Sequence, residues 1–522
     1  MPQDRMLIIA LWVAVAVGAL VRLHVLPLGE DALARTFMTE DGYLMLTVAR
    51  NLALGLGLSV SEGTIATNGV QPLATFLYAI PFVPFDGNKV AGVAGATLLG
   101  AAFSVAAFLA IRAFAKLLLA DEAPSPWPLA VATLWFLGPL ALFHGMNGLE
   151  TGLYVALAAG TAVLFGRLCA GAAPYAPRDQ VLLGVACGLL FLARIDGAFL
   201  VAALFAVRFV QVQATGRLTF AGAVREAVPP GLIALAFAAP WLIHNQILFG
   251  SIIPISGTAQ SATASLGGNA PLVAAKLFET MFPPLPIPNA LETVPAVQWI
   301  AGVAVAGVLG AFLWRCLRQG GPVAAVATAY TLYGAALVVY YGFFFGAPHF
   351  LSRYFAPLAP LLVTAAVWAG LQLAERIRTR RAAPAAALAA IALCAALTLR
   401  QIVPGVNDQG HFQVVDWVRA NVSDETWVGA VQTGTLGYWH DRTVNLDGKV
   451  NPAALRARLE DGHVLRYVVE GPIDVLADWV GIAGWAALEA ADFNRHFELL
   501  VEDHDRNLAV LVRRAGGTEQ GG

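Results

Sequence analysis

The amino-acid sequence predicts a polytopic α-helical membrane protein of about ten to thirteen spans that ends in a small α/β domain. Three observations predict it. Of the 522 residues, 58% are hydrophobic and 13% are charged, whereas an average soluble domain carries about 25% charged residues. Long apolar runs recur from residue 6 to residue 402, many of them near the ~20 residues that a spanning helix needs. After Arg400 the composition turns, and residues 403–522 carry a denser, acid-rich set of charges.

The first apolar run, Met6 to Leu26, follows Arg5 and has no small-residue cleavage site after it, so it reads as an uncleaved first span with a cytoplasmic N-terminus. A polar, Gly-rich stretch follows from Pro27 to Gly69. Further apolar runs occupy 71–85, 89–119, 127–143, 150–172, 180–213, 228–248, 295–317, 322–345, 354–374 and 383–402. The 71–85 run is short enough to be re-entrant. The 180–213 run is interrupted by Arg194 and Asp196, which leaves open one long helix with a functional break or two short ones.

Orientation follows from the placement of Lys and Arg. Arg376, Arg378, Arg380 and Arg381 mark a cytoplasmic loop, and Arg315 with Arg318 and Arg217 with Arg225 fit cytoplasmic loops counted back from it. The 249–294 loop, the His349–Arg353 turn and everything after residue 402 then face away from the cytoplasm. In the last region, β-type runs at Trp427–Val431, Arg466–Val469 and Leu508–Val512 alternate with helical stretches at Phe412–Asn421 and Ile473–Val480. The segment from Ala515 reads as a frayed tail. A net charge of −2 with no basic face argues against a nucleic-acid partner. Cys169, Cys187, Cys316 and Cys394 lie in apolar runs without metal spacing and read as small buried hydrophobes.

The polar stretch after the first span carries the chemistry. Thr39 is placed to cap a helix with Leu44, Val48 and Leu52 on one face, which puts Glu40 and Asp41 in its first turn. Capping electrostatics alone would account for the pair at about 0.3–1 kcal/mol. The sharper reading is a general base or a divalent-cation ligand at the water–lipid boundary.

An ordered series of motifs weighs towards the second. Glu40-Asp41-Gly42-Tyr43, Ala49-Arg50-Asn51-Leu52, Gly55-Leu56-Gly57-Leu58 and Thr67-Asn68-Gly69-Val70-Gln71-Pro72-Leu73 together resemble the first external loop of GT-C glycosyltransferases. These are membrane enzymes that use polyprenyl-phosphate sugars, and they include protein O-mannosyltransferases, aminoarabinose transferases and mycobacterial arabinofuranosyltransferases. The likeness continues through Gly145-Met146-Asn147-Gly148-Leu149-Glu150-Thr151, where extra residues displace the acid, and Arg194-Ile195-Asp196-Gly197, where Ile replaces a proline. It extends through Asn245, Phe249-Gly250-Ser251 and Pro254, through Ser352-Arg353-Tyr354-Phe355, and through Gly434–Tyr438 with Asn445–Asn451, the last similar to a DG-x-VN pattern.

The resemblance implies a GT-C-like transmembrane module over 1–402, with a catalytic first external loop at 27–70 and a large external loop at 249–294. An extracytoplasmic α/β domain covers 403–522. It implies a glycosyltransferase of a bacterial inner membrane, taking a sugar from a polyprenyl-phosphate donor to a glycan, glycolipid or protein acceptor. Asp41 is the expected base, with Glu40 or Glu150 as partner, and Glu40 with Asp41 as ligands if a divalent cation (Mg or Mn) takes part. Arg353, His349 and Arg194 are the donor-phosphate candidates. The plainer readings are snorkelling for Arg353, a structural role for His349, and mutual pairing of Arg194 with Asp196. Tyr43, Asn68, Gln71, Asp196, Trp439 and His440 are substrate-contact candidates. Against this, Asn68 and Gln71 can simply shape the loop, and Trp439 and His440 can belong to a domain core. The rivals are a lipid or solute transporter with a similar bundle and a non-catalytic subunit. The first does not need the acidic pair, and the second is disfavoured by the presence of Asp41.

Overall fold

The computed structural model describes residues 2–119, 125–171, 173–262, 264–377, 382–403 and 410–514; Arg378, Arg380 and Arg381 and the tail from Ala515 lie outside them. Among the described residues nine helices are long and apolar enough to cross a membrane. The count rises to ten if Trp127–Phe136 and Pro139–Met146, bent by 61° at their junction, form one span. The protein is a multi-pass membrane protein whose nine or ten candidate spans among the described residues fall below or just reach the expected ten to thirteen, and two segments bear on the difference. The 71–85 run folds as Pro72–Ala79 followed by a tight 3-10 turn, Ile80–Phe85, because Pro81 and Pro84 lack the N–H groups that would extend an α-helix. The 180–213 run opens into Pro177–Ala193 and Gly197–Ala214, and the first of these has 17 residues.

The chain forms two compact units. One comprises Met1–His24, Leu98–Trp241 and Thr263–Val406; the other comprises Val25–Thr97, Leu242–Ala262 and Asn407–Gly522. In the first, helices close through small residues. A Cβ on Gly184 would lie 2.7 Å from Ile233 Cβ, and one on Gly188 would lie 2.6 Å from Phe237 Cβ. The Pro177–Ala193 helix thus offers a four-residue small-residue spacing to Phe220–Phe249, as membrane helices do when van der Waals contact drives their association. Arg22 is fully buried here, its guanidinium donating to Phe136 O at 2.7 Å and lying 3.8 Å from the Phe136 ring centroid. All four cysteines are buried and unbridged.

The second unit joins the first polar stretch to the C-terminal segment. Its core is a five-stranded sheet of β3 (Val428–Ala430), β4 (Thr443–Asn445), β5 (Val475–Asp478), β6 (Phe497–Asp503) and β7 (Leu508–Arg513), in the order β4-β3-β5-β7-β6. The first three strands are parallel and the last two run antiparallel. A small hairpin, β1 (Ser59–Val60) with β2 (Ile65–Ala66), follows the Glu40–Ala53 helix. Two expectations are corrected. Ile473–Val480 contains the central strand β5, not a helix, because a strand buried on both faces reads as a continuous apolar run that periodicity cannot separate from a helix. Arg466–Val469 is helical within Leu465–Glu470, where burial of Leu465 and Val468 overrides β-propensity. The expected helix at Phe412–Asn421 forms, and the β-type runs expected at Trp427–Val431 and Leu508–Val512 appear as Val428–Ala430 and Leu508–Arg513.

Two glycines permit backbone contacts that no side chain would. A Cβ on Gly69 would lie 2.0 Å from Lys449 O, and one on Gly434 would lie 1.7 Å from Glu40 O. Gly69→Ala and Gly434→Ala are each expected to lower the stability of this unit by about 1–3 kcal/mol, the usual range for overpacking. Thermal unfolding in detergent, followed by tryptophan fluorescence, checks this; a melting temperature equal to wild type would contradict the close approach.

Candidate active site

The site begins with a cap. Thr39 Oγ1 accepts from Gly42 N at 3.3 Å and starts the Glu40–Ala53 helix, which places both acids in the first turn as expected. The helix is buried on most sides, not on one face alone. Its two acids then part. Glu40 turns to the start of Gly434–Trp439, accepting from the backbone N–H groups of Gly434 and of Thr435, the latter at 2.9 Å. Burial pushes the Glu40 carboxyl above its usual range, and those two N–H groups work against the shift. Asp41 is partly open, with 23% side-chain exposure, and its Oδ1 lies 3.9 Å from Lys449 Nζ.

Lys449 sits on a loop held from several sides. Asp447 Oδ1 accepts from Lys449 N at 2.8 Å, and Asn445 Oδ1 accepts from Gly448 N at 3.0 Å. Asn451 donates to Asn445 O at 2.8 Å and caps Pro452–Glu460 through the N–H groups of Ala453 and Ala454. Lys449 Nζ lies 3.2 Å from Asp447 Oδ2. Burial works to lower the Lys449 ammonium, but Asp41 and Asp447 outweigh it and raise it above its ordinary value. Lys449 and Asp447 escape sequence reasoning, since Lys449 fills the unspecified place of the DG-x-VN pattern; the signal that could have found them is a Lys beside an Asp just past a strand.

The remaining candidates of this unit lie inside it. Asn68 is fully buried and its Oδ1 accepts from Ile255 N at 3.0 Å, so it shapes the loop. Gln71 precedes Pro72–Ala79 and its carbonyl accepts from Thr75 N at 3.0 Å. Tyr43 is fully buried, donates to Ala34 O at 2.8 Å and meets Tyr438 and Trp439 with ring centroids 5.0 and 6.1 Å away. Trp439 lies under the Arg419 guanidinium at 4.6 Å, and His440 Nε2 bonds Thr426 O at 2.9 Å. Arg50 joins Gly87 O at 2.7 Å to Asp441 at 3.0 Å.

The first unit gathers the other charged candidates. Glu150 and Asp196 stand at the N-cap positions of Thr151–Ala170 and Gly197–Ala214, where helix dipoles favour negative charge. Arg194 joins them: Nη1 lies 2.6 Å from Glu150 Oε1 and Nη2 lies 3.0 Å from Asp196 Oδ2. Tyr341 OH donates to Asp196 Oδ2 at 2.6 Å, and its ring stacks on Tyr354 at 4.1 Å. Arg194 is thus committed to two buried carboxylates. Arg353 is half-buried, its guanidinium 5.1 Å from the Phe350 ring centroid, while His349 is exposed and lies against Phe350 at 4.1 Å. Beside them is a small cavity of about 30 Å³ whose wall includes His144, Thr151, Glu279, Thr280 and Ser352. His144 Nε2 and Ser352 Oγ are 3.1 Å apart. Pro283 borders both this cavity and an apolar one of about 180 Å³, lined by residues such as Leu134, Val363, Val367 and Ala387.

A divalent ion finds a poor fit at the acidic pair. Both Glu40 oxygens accept backbone N–H groups, an ammonium already stands by Asp41 and Asp447, and no group of three or more His, Cys, Asp or Glu among the described residues is placed to hold a metal.

Comparison with solved structures finds the same architecture. ArnT from Cupriavidus metallidurans bound to undecaprenyl phosphate superposes with a TM-score of 0.60 at 12% identity, over 98% of this chain and 99% of that one. The archaeal oligosaccharyltransferase AglB from Archaeoglobus fulgidus, in complex with an inhibitory peptide and a dolichol-phosphate, gives 0.58 at 11% identity over 95% and 72%. The oligosaccharyltransferase of the same archaeon in complex with Zn and sulfate gives 0.56 at 14% over 94% and 71%. Residues 400–510 match a family model described as a domain of unknown function (DUF8728). No curated protein sequence matches the chain. The chain has the GT-C membrane fold that the first-loop series predicts; at these identities the likeness is one of fold.

Removing Arg194 leaves two buried carboxylates without their cation, so Arg194→Met is expected to destabilise the first unit by about 3–5 kcal/mol. Detergent unfolding reads this, and a wild-type melting temperature would refute it. In the second unit, burial pushes Asp478 up to about 7, against the N–H groups of Trp479, Gln432 and Val431. A carboxyl raised on folding binds more protons folded than unfolded, so stability is greatest below the ordinary carboxylate range and falls as pH rises towards 7. The melting temperature is expected to drop between about pH 5 and about pH 8, with Asp478→Asn reducing the slope; an unchanged slope would remove Asp478 as the cause.

Proposed function

We propose that this protein is a glycosyltransferase that moves a hexosyl or pentosyl unit from a polyprenyl-phosphate donor to the hydroxyl of a lipid- or glycan-linked acceptor. The reaction takes place on the extracytoplasmic face of a bacterial inner membrane, in cell-envelope glycan assembly. The catalytic loop is 27–70, and residues 403–522 form the extracytoplasmic domain that guides the acceptor. The observation that carries the reading is the contrast among three predicted acids. Glu40 commits both oxygens to backbone N–H groups and Glu150 is buried against Arg194, whereas Asp41 keeps a partly exposed carboxylate at a helix start.

Asp41 accepts the acceptor hydroxyl proton as that oxygen bonds to the anomeric carbon and the carbon–oxygen bond to phosphate breaks, with inversion. Polyprenyl phosphate leaves with the bonding electrons. Arg353, taken by itself, offers donors that match the oxygens of a lipid phosphate. The paired cavities support a lipid-phosphate donor, since a mainly apolar cavity carrying the polar groups of His144 and Ser352 adjoins an apolar chamber of the kind an isoprenoid tail needs.

The test is sugar transfer in liposomes from a panel of radiolabelled polyprenyl-phosphate sugars to membrane extract. Asp41→Asn is expected to lower turnover by about 10²-fold or more, with donor binding kept within about twofold. Transfer that survives in Asp41→Asn would remove Asp41 as the base. Lipid movement across the membrane without transfer from any donor would replace the reading with a transporter.

A further inference from the structure

The Asp41 site contains a cation of its own. We infer that Lys449 is the resident cation of this site: its ammonium, anchored on Asp447, positions the Asp41 carboxylate and lets the site work without a divalent metal. The inference rests on the glycosyltransferase reading for its activity arm and on geometry alone for its binding arm.

Three observations carry it. Lys449 Nζ stands 3.2 Å from Asp447 Oδ2 and 3.9 Å from Asp41 Oδ1, so one ammonium lies within ion-pair distance of two carboxylates from distant parts of the chain. A divalent ion held by the same two carboxylates would have to displace it, and Glu40 is withdrawn from any ligand set by Gly434 N and Thr435 N. The backbone that bears Lys449 is fixed by bonds from Asp447 and Asn445, by Arg458 donating to Asp447 O, and by the close approach of Gly69 to Lys449 O.

The sheet explains why the cation is found there. β3, β4 and β5 are parallel, and the residues in question follow their carboxyl ends: Gly434 and Thr435 after β3, Asp447 and Lys449 after β4, Asp478 at the end of β5. In open α/β sheets that edge is where ligands are received. Burial opposes the Lys449 charge and the two carboxylates restore it, which keeps the ammonium protonated across the working range. As a positioning residue, Lys449 acts through Asp41.

Two measurements on the full-length protein in detergent test this. The first is Mn²⁺ binding by electron paramagnetic resonance in wild type and Asp41→Asn. The expected result is no difference between them; a Mn²⁺ site present in wild type and lost in Asp41→Asn overturns the proposal, whatever the activity. The second is transfer in excess chelator. Wild type is expected to keep its rate. Lys449→Met is expected to lose about tenfold or more in kcat with KM for the donor little changed and with the acid limb of its pH profile displaced, and Lys449→Arg is expected to restore most of the rate. Loss of wild-type transfer in chelator, restored by Mn²⁺ or Mg²⁺, overturns the proposal. So does a Lys449→Met enzyme with wild-type kcat. Melting temperatures of the variants separate a folding defect from a positioning one. Absence of transfer from every donor would count against the glycosyltransferase reading, and the Mn²⁺ arm would still decide this one.

Discussion

The carboxylate of Glu40 on the backbone N–H groups of Gly434 and Thr435 is the interaction on which the rest of the second unit depends. It joins residues 394 and 395 positions apart. A hydrogen bond to a charged group contributes about 1.5–3 kcal/mol, and Glu40 makes two of them from a half-buried position. The same contact requires Gly434 to have no side chain, because the Glu40 carbonyl lies where a Cβ would go. With Glu40 fixed, the geometry of the next residue follows. Asp41 is one position on in the same first turn, so its carboxylate points away from Glu40's partners and remains partly open, with Lys449 near it.

In the first unit the comparable constraint is the burial of charge. Arg194, Glu150 and Asp196 all lie in the interior, where an isolated ion is costly. Three devices make them tolerable together: two helix starts that favour the carboxylates, one guanidinium that reaches both, and Tyr341 donating to Asp196. The break in the apolar run at Arg194–Asp196 is therefore what frees a second helix N-terminus for Asp196. Its position between Ala193 and Gly197 explains why one hydrophobic stretch becomes two helices.

Membrane helices were legible from the sequence because a long apolar run has one dominant solution in lipid. The cap at Thr39 and the strand at 508–513 were legible because their signals are local. Other features depended on partners far along the chain. β5 was hidden because a central strand has no polar face to alternate with. The division of work between Glu40 and Asp41 was hidden because the N–H groups that claim Glu40 lie in the C-terminal segment, and nothing near residue 40 announces them. Arg194 read equally well as a phosphate ligand or as a partner for Asp196, and the structure adds Glu150, whose approach from 44 residues away no spacing rule foretells. Trp439 and His440 have the composition of a sugar-stacking pair; the structure buries His440, bonded to Thr426 O, and leaves Trp439 half-buried beside Tyr43.

Lys449 shows how a sheet can turn an unremarked residue into part of a site. Parallel strands end in register, so the loops after β3, β4 and β5 are brought to one edge regardless of their separation in sequence. That edge receives the Glu40 helix start through Gly434 and Thr435, and it presents Lys449 to Asp41. A fixed ammonium differs from a bound metal in one respect that matters for chemistry at a carboxylate. It carries a single charge on a tethered stem, so it can orient Asp41 without coordinating the lone pairs that an incoming hydroxyl proton needs. A divalent ion coordinated by Asp41 would compete for those lone pairs directly. The arrangement of Asp447, Lys449 and Asp41 therefore favours a base that is steadied by a tethered ammonium and keeps part of its carboxylate at the surface.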